Sequence, residues 1–225
     1  MNRTVFARHF HALTAITREV IFGSAESAVR PINLPADTAT MFAGYVGKRY
    51  EHGRGLMLLA INPGGGGDAY VKRMPEDEVF YSFLESFKTA QADDVVASFE
   101  RINRSFASIV RGWNLWRILG PTLDAAGRTI DEVAYMNVVP YRTRQDKMPP
   151  AAARRLAWSR IVAPTIQLLA PRALITLGKK AESVVEPLVV GDIRRYCVPR
   201  TIGDTYVSED ARTVHAQMRR ELGQT

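Results

Sequence analysis

Six apolar residues, Leu56 to Ile61, run without a break into Asn62-Pro63, then four glycines (Gly64 to Gly67), then Asp68. An uninterrupted apolar run of this length, bounded by turn residues, predicts a strand buried on both faces, which requires a parallel sheet covered by helices on each side. Pro63 cannot continue a ladder, and the glycines allow a sharp turn and close backbone approach. Open α/β sheets bind ligands outside the carboxyl ends of their strands. Asn62 is the first polar side chain presented at such an end.

The remaining periodicity fits that frame. Residues 132–139 predict a second buried strand ended by Pro140, and 173–177 a third ended by Gly178, with a short last strand over 193–198. Helical patterns cover 3–22, stopped by Gly23-Ser24; Asp37 to about Tyr50; and 76–106, with Asp93-Asp94 offering a second start. Further helices are expected over 108–126, broken or kinked at Gly120-Pro121, and from Pro149-Pro150 to Ala170, disturbed at Pro164. The last runs from Ser208-Glu209-Asp210 through Leu222. Trp113 and Trp116 sit at core spacing, and His215 reads as a helix-surface residue. Strands alternating with helices predict one three-layer α/β/α sandwich with a central, mainly parallel sheet over residues 1–225, and residues 1–52 as a helical extension packed on it.

Charge and cysteine usage narrow the function classes. Thirty Lys plus Arg against 23 Asp plus Glu give a net charge of +7, which favours an anionic partner, with nucleic acid ahead of membrane. Cys197 is the single cysteine, so an internal disulfide and an all-cysteine metal or iron–sulfur site are excluded. No run approaches the ~20 apolar residues of a membrane span. The basic N-terminal stretch lacks a secretory pattern, has a faint organelle-targeting character and suits a packed helix better, so a cytoplasmic monomer is expected, nucleoid-associated if bacterial.

Three strand ends carry polar residues able to converge: Asn62-Pro63-Gly64, Asn137 through Arg142, and Gly178-Lys179-Lys180. A carboxamide offers both a donor and an acceptor, which suits a nucleobase edge. Asn137 lies inside an apolar run, where an unpartnered amide costs a few kcal/mol. Arg142, Arg144, Lys147, Arg154, Arg155 and Arg160 follow it, with Asp146 the lone acid among them, where phosphate contacts would fall.

These segments resemble the uracil-DNA glycosylase superfamily. Ala60-Ile61-Asn62-Pro63-Gly64 is similar to the first motif of the mismatch-specific and single-strand-selective branches. Asn137-Val138-Val139-Pro140-Tyr141-Arg142, ending Lys147-Met148-Pro149, and Pro171 through Ala181 resemble segments of the thermostable iron–sulfur branch. The resemblance spans about residues 56 to 222. It implies flipping of a uracil or other deaminated or damaged base out of single- or double-stranded DNA, and metal-free hydrolysis of the N-glycosidic bond. Asn62 would position the attacking water, with Asp68 as a second water-activating group. Asn137, Pro63 and Gly64 would hold the base, with Tyr70, Phe80 or Tyr81 stacked on it. Arg142, Arg144, Lys147, Lys179 and Lys180 would contact the DNA backbone. An amide is a poor general base, so orientation would carry the reaction and the rate would be slow.

The sequence departs from that family in two places. The cluster cysteines are absent, so no cofactor is expected. The usual His-Pro-Ser motif is replaced by Val198-Pro199-Arg200, making Arg200 the candidate cation for the departing base. The missing histidine leaves a second reading open, a glycosylase-fold protein that binds nucleic acid or nucleotides without cutting. A third reading comes from Gly64-x-Gly66-x-x-Ala69, which formally matches a dinucleotide fingerprint and hence an oxidoreductase, against Pro63, Pro75 and the lack of a second strand bearing a ribose-binding acid.

Overall fold

The computed structural model describes residues 3–31, 44–64, 75–189 and 191–223. In chain order, the N-terminal elements are α1 (Arg3–Leu13), α2 (Arg18–Phe22), α3 (Glu26–Val29), β1 (Tyr45–Val46) and β2 (Leu56–Ala60). The middle of the chain forms α4 (Pro75–Lys88), α5 (Val95–Ile109), α6 (Trp116–Ala125) and β3 (Val133–Asn137). There follow α7 (Ala151–Ala157), α8 (Ala163–Leu169), β4 (Ala173–Leu177), α9 (Lys179–Val185), β5 (Arg194–Val198) and α10 (Glu209–Leu222).

The five strands form one sheet in the order β1-β3-β2-β4-β5. β3, β2, β4 and β5 run parallel, and β1 is an antiparallel edge. Every residue of β2, β3 and β4 is buried, as strands covered on both faces must be. The protein is therefore a three-layer α/β/α fold. No described helix is long and apolar enough to cross a membrane. The chain passes from β2 to β3 on one side, then crosses to β4 on the other. That reversal makes the carboxyl ends of β2, β3 and β4 a topological switch point, the place where open α/β sheets bind ligands.

Several boundaries differ from the sequence reading, each for a local reason. The expected helix over 3–22 divides because the Thr14 hydroxyl donates to His11 O at 2.7 Å and Thr17 adopts an extended conformation to cap α2. Of the helix expected from Asp37 to Tyr50, residues 37–43 lie outside the described residues, and Tyr45–Val46 is strand β1, with Val46 N–H donating to Asn103 Oδ1 at 2.7 Å. Among the described residues before 53, α1, α2 and α3 are helical, β1 joins the sheet, and Phe10 of α1 stacks on Phe99 of α5 with ring centroids 5.4 Å apart.

The chain breaks before Trp116, and α6 runs on through Pro121. At Pro164 the long helix continues, because a π-helical turn over Trp158–Val162 takes up the missing donor. Asp94 does start a separate helix. Trp113 packs on Phe80 and Phe106. His215 is buried, contrary to the surface position expected of it. Thr122 donates its hydroxyl proton to Ile118 O, so it accepts from His215 Nε2–H at 3.0 Å and joins α10 to α6.

Candidate functional site

Parallel register sets Ala60 beside Asn137, and the ladder continues as Val138 N–H donates to Ala60 O (2.8 Å) and Val139 N–H to Ile61 O (2.9 Å). Asn62 and Asn137 therefore stand at the same end of two neighbouring strands. Both are buried. Asn62 Nδ2 donates to Thr143 Oγ1 at 3.0 Å, while the Thr143 hydroxyl donates to Lys147 O at 2.5 Å. Thr143 begins a tight turn in which Gln145 and Asp146 take positive φ values of 56° and 51°. That turn fixes the orientation of the Asn62 amide.

The two carboxamides are oriented in opposite senses. Tyr135, two residues before Asn137 and so on the same strand face, donates its hydroxyl to Asn137 Oδ1 at 3.3 Å. Among the described residues, no hydrogen bond engages Asn62 Oδ1 or Asn137 Nδ2. Asn62 thus retains an acceptor and Asn137 a donor. Among the described residues, nothing lies within 4 Å of where a Cβ on Gly64 would stand.

Arg200 reaches this region from the end of β5, but its charge is already matched. Its Nε donates to Asp204 Oδ1 at 2.8 Å and its Nη2 to Asp204 Oδ2, a bidentate pair with Asp204 only 4% exposed. The pair lies close enough to Tyr135 to act on its phenol, which burial, the dominant effect, pushes up to about 12. The Arg200 stem packs across Gly178, whose φ is +98°. Arg200, the candidate cation for a departing base, is thus half of a bidentate ion pair at this site.

The other expected residues divide. Phe80 is a core residue, 2% exposed, with its ring against Phe106 and Trp113, and Phe106 in turn stacks on Tyr135, so Phe80 is spent on packing and is not presented to a base. Arg142 lies in the loop after β3, where its Nη2 donates to Tyr81 Oη at 2.7 Å and clamps that loop to α4. This bond fixes the Arg142 guanidinium and the Tyr81 hydroxyl against each other. Lys147 is exposed and Arg144 half-buried on the Thr143 turn; Lys179 and Lys180 are exposed on the first turn of α9. Pro63 is partly buried beside Asn62. Asp68 and Tyr70 lie outside the described residues.

Besides Thr143, three participants escaped the sequence reading. The spacing Tyr135-x-Asn137 in a strand was the available signal for Tyr135, and the Arg200-x-x-x-Asp204 spacing for Asp204. Arg18 had none. Its buried guanidinium pairs with Glu26 at 2.7 Å, lies 4.6 Å from the Phe22 ring centre and donates Nη1 to Arg142 O at 2.7 Å, so it supports the loop that carries Thr143.

Fold and site together define an open α/β sheet with two buried carboxamides at the carboxyl ends of neighbouring strands, beside the switch point. No protein-family model matches the chain, and no curated protein matches it in sequence.

Proposed function

We propose that this protein recognises an unstacked base in DNA at the carboxyl end of its sheet and hydrolyses the N-glycosidic bond of uracil or another deaminated or damaged base. One observation carries the reading: neighbouring strand ends present a fixed acceptor, Asn62 Oδ1, and a fixed donor, Asn137 Nδ2. The acceptor orients a water for attack on the sugar C1′. The donor bonds a base carbonyl more strongly as negative charge develops on the leaving base. Water adds to C1′, the C1′–N bond breaks with its electron pair leaving on the base, and the water's proton is passed to solvent or base. With no strong general base among the described site residues, orientation supplies most of the acceleration and turnover is slow. The partner is DNA, the net charge of +7 supporting its approach, and the protein acts as a cytoplasmic monomer without a cofactor.

The Arg200–Asp204 pair favours a second reading, binding without cleavage, because a neutral ion pair stabilises a departing anion less than a lone cation does. Single-turnover assays on uracil-, hypoxanthine- and mismatch-containing oligonucleotides separate the two. Hydrolysis of one lesion that is abolished by Asn62→Ala, with binding retained, supports the enzyme. Lesion-selective binding with no cleavage supports the binder, and equal affinity for damaged and undamaged DNA contradicts both.

A further inference from the structure

The opposite pole of the sheet carries a second site. A cleft of ≈ 550 Å³ opens at the amino ends of the strands, lined by Arg49, Arg54, Arg128 and Arg172 with Glu51 and Glu132. Each arginine enters on the approach to, or exit from, a different strand: Arg49 follows β1, Arg54 precedes β2, Arg128 precedes β3 and Arg172 precedes β4. Because the sheet order is β1-β3-β2-β4, the fold sets them in the row Arg49, Arg128, Arg54, Arg172.

The row is anchored through the backbone. Arg49 N–H donates to Asp131 O and Arg172 N–H to Gly55 O, each at 2.8 Å, and Gly53 N–H donates to Ala170 O at 3.0 Å. Arg49 Nη2 is additionally held by Thr129 Oγ1 at 2.8 Å. The two acids offset part of the row, Glu132 Oε2 standing 3.7 Å from Arg49 Nη2, and four arginines against two glutamates leave an excess of positive charge. Glu132 spends Oε2 on Thr129 N–H (2.8 Å) and Thr129 Oγ1 (2.7 Å) in a capping box, and these bonds hold its carboxyl below the usual range. Glu51 is 68% exposed and stands 3.9 Å from Arg54.

We propose that this cleft binds a small phosphate-chain anion, of the size of a di- or triphosphate group, independently of the base-recognition site. Guanidinium forks match phosphate oxygens bidentately, and several of them on separate strand ends accommodate an anion carrying more than one phosphate. The cleft volume falls in the range of small-ligand sites, and the two poles are separated by the five-residue length of the strands, about 16 Å. A ligand of this size at one pole therefore does not reach the other.

Isothermal titration of the full chain with tripolyphosphate, with sulfate as a reference and Asn137→Ala as a control, tests the proposal. One tripolyphosphate is expected to bind per chain, more tightly than sulfate and unchanged in Asn137→Ala. Arg54→Gln and Arg172→Gln each weaken it about tenfold, whereas Glu51→Gln tightens it. The Arg54 side chain is 82% exposed, so Arg54→Gln tests binding without disturbing the fold. Binding no tighter than that of sulfate, or unaffected by Arg54→Gln, overturns the assignment. So does a single-stranded oligonucleotide that depends on the same arginines while tripolyphosphate does not bind.

Discussion

Replacing Thr143 with valine tests whether the site is held together as described. Valine keeps the β-branched shape and buried volume of threonine but removes the one oxygen that accepts from Asn62 Nδ2 at 3.0 Å and donates to Lys147 O at 2.5 Å. A net cost of about 1 kcal/mol for each lost bond gives a destabilisation of about 2 kcal/mol, and more if the buried Asn62 amide finds no other partner. For a chain of this size that lowers Tm by roughly 4–8 °C. Chemical unfolding of the wild type, Thr143→Val, Asn62→Ala and the double variant measures the link directly. If Thr143 acts through Asn62, the two changes are non-additive by roughly 0.5 kcal/mol or more. In the cleavage assay, a loosened Asn62 should lower kcat about tenfold or more while KM changes little. Additive effects on stability, or a Thr143→Val protein as stable as wild type, would refute the tether.

Other outcomes follow from single contacts. Asp204→Asn removes the charge that neutralises Arg200 and should cost about 1–2 kcal/mol, discounted because the Arg200 side chain is 32% exposed; under the glycosylase reading the same variant cleaves faster, which single-turnover kinetics would reveal. Gly178→Ala forces a Cβ into positive φ, 3.3 Å from the Arg200 stem, and should lower stability by about 1–2 kcal/mol in denaturant titrations. Burial depresses the imidazolium form of both His9 and His215. At pH 7 and above both are mostly neutral folded or unfolded, but as pH falls through about 6.5 the unfolded chain takes up protons the folded chain resists. Stability should therefore fall from pH 7 toward pH 5, and His215→Gln should flatten that slope in thermal melts.

Three of the parallel strands were legible because each is a short, mostly apolar run closed by a strong stop: Pro63 after β2, Pro140 beyond β3 and Gly178 after β4. β5 opens on the exposed Arg194 and Arg195 and is marked chiefly by its stop at Pro199. β1 was not legible. Two residues at a sheet edge carry no period, and the pairing of Tyr45 with Tyr135 is a tertiary fact. Pro164 argued for a break, yet a π-helical turn accommodates it, a solution invisible to propensity. At the site, Asn62 and Asn137 stood out because a carboxamide at a buried strand end needs a reason. What orients them did not: Thr143 lies far along the chain from Asn62, and whether Arg200 acts as a lone cation depends on Asp204 folding back with φ 51°. Phe80 misled because an aromatic residue after the glycine turn suits stacking on a base as well as it suits a core.

The most direct test of base recognition observes the two carboxamides themselves. Side-chain amide NMR signals of Asn62 and Asn137 should be followed while a short uracil-containing oligonucleotide is titrated against its undamaged counterpart. Recognition as proposed requires the Asn137 Nδ2 protons to shift downfield with the lesion strand alone, and that shift to vanish in Tyr135→Phe if the phenol orients the amide. Unchanged signals from both residues at saturating lesion DNA would place any binding elsewhere on the protein and contradict the assignment.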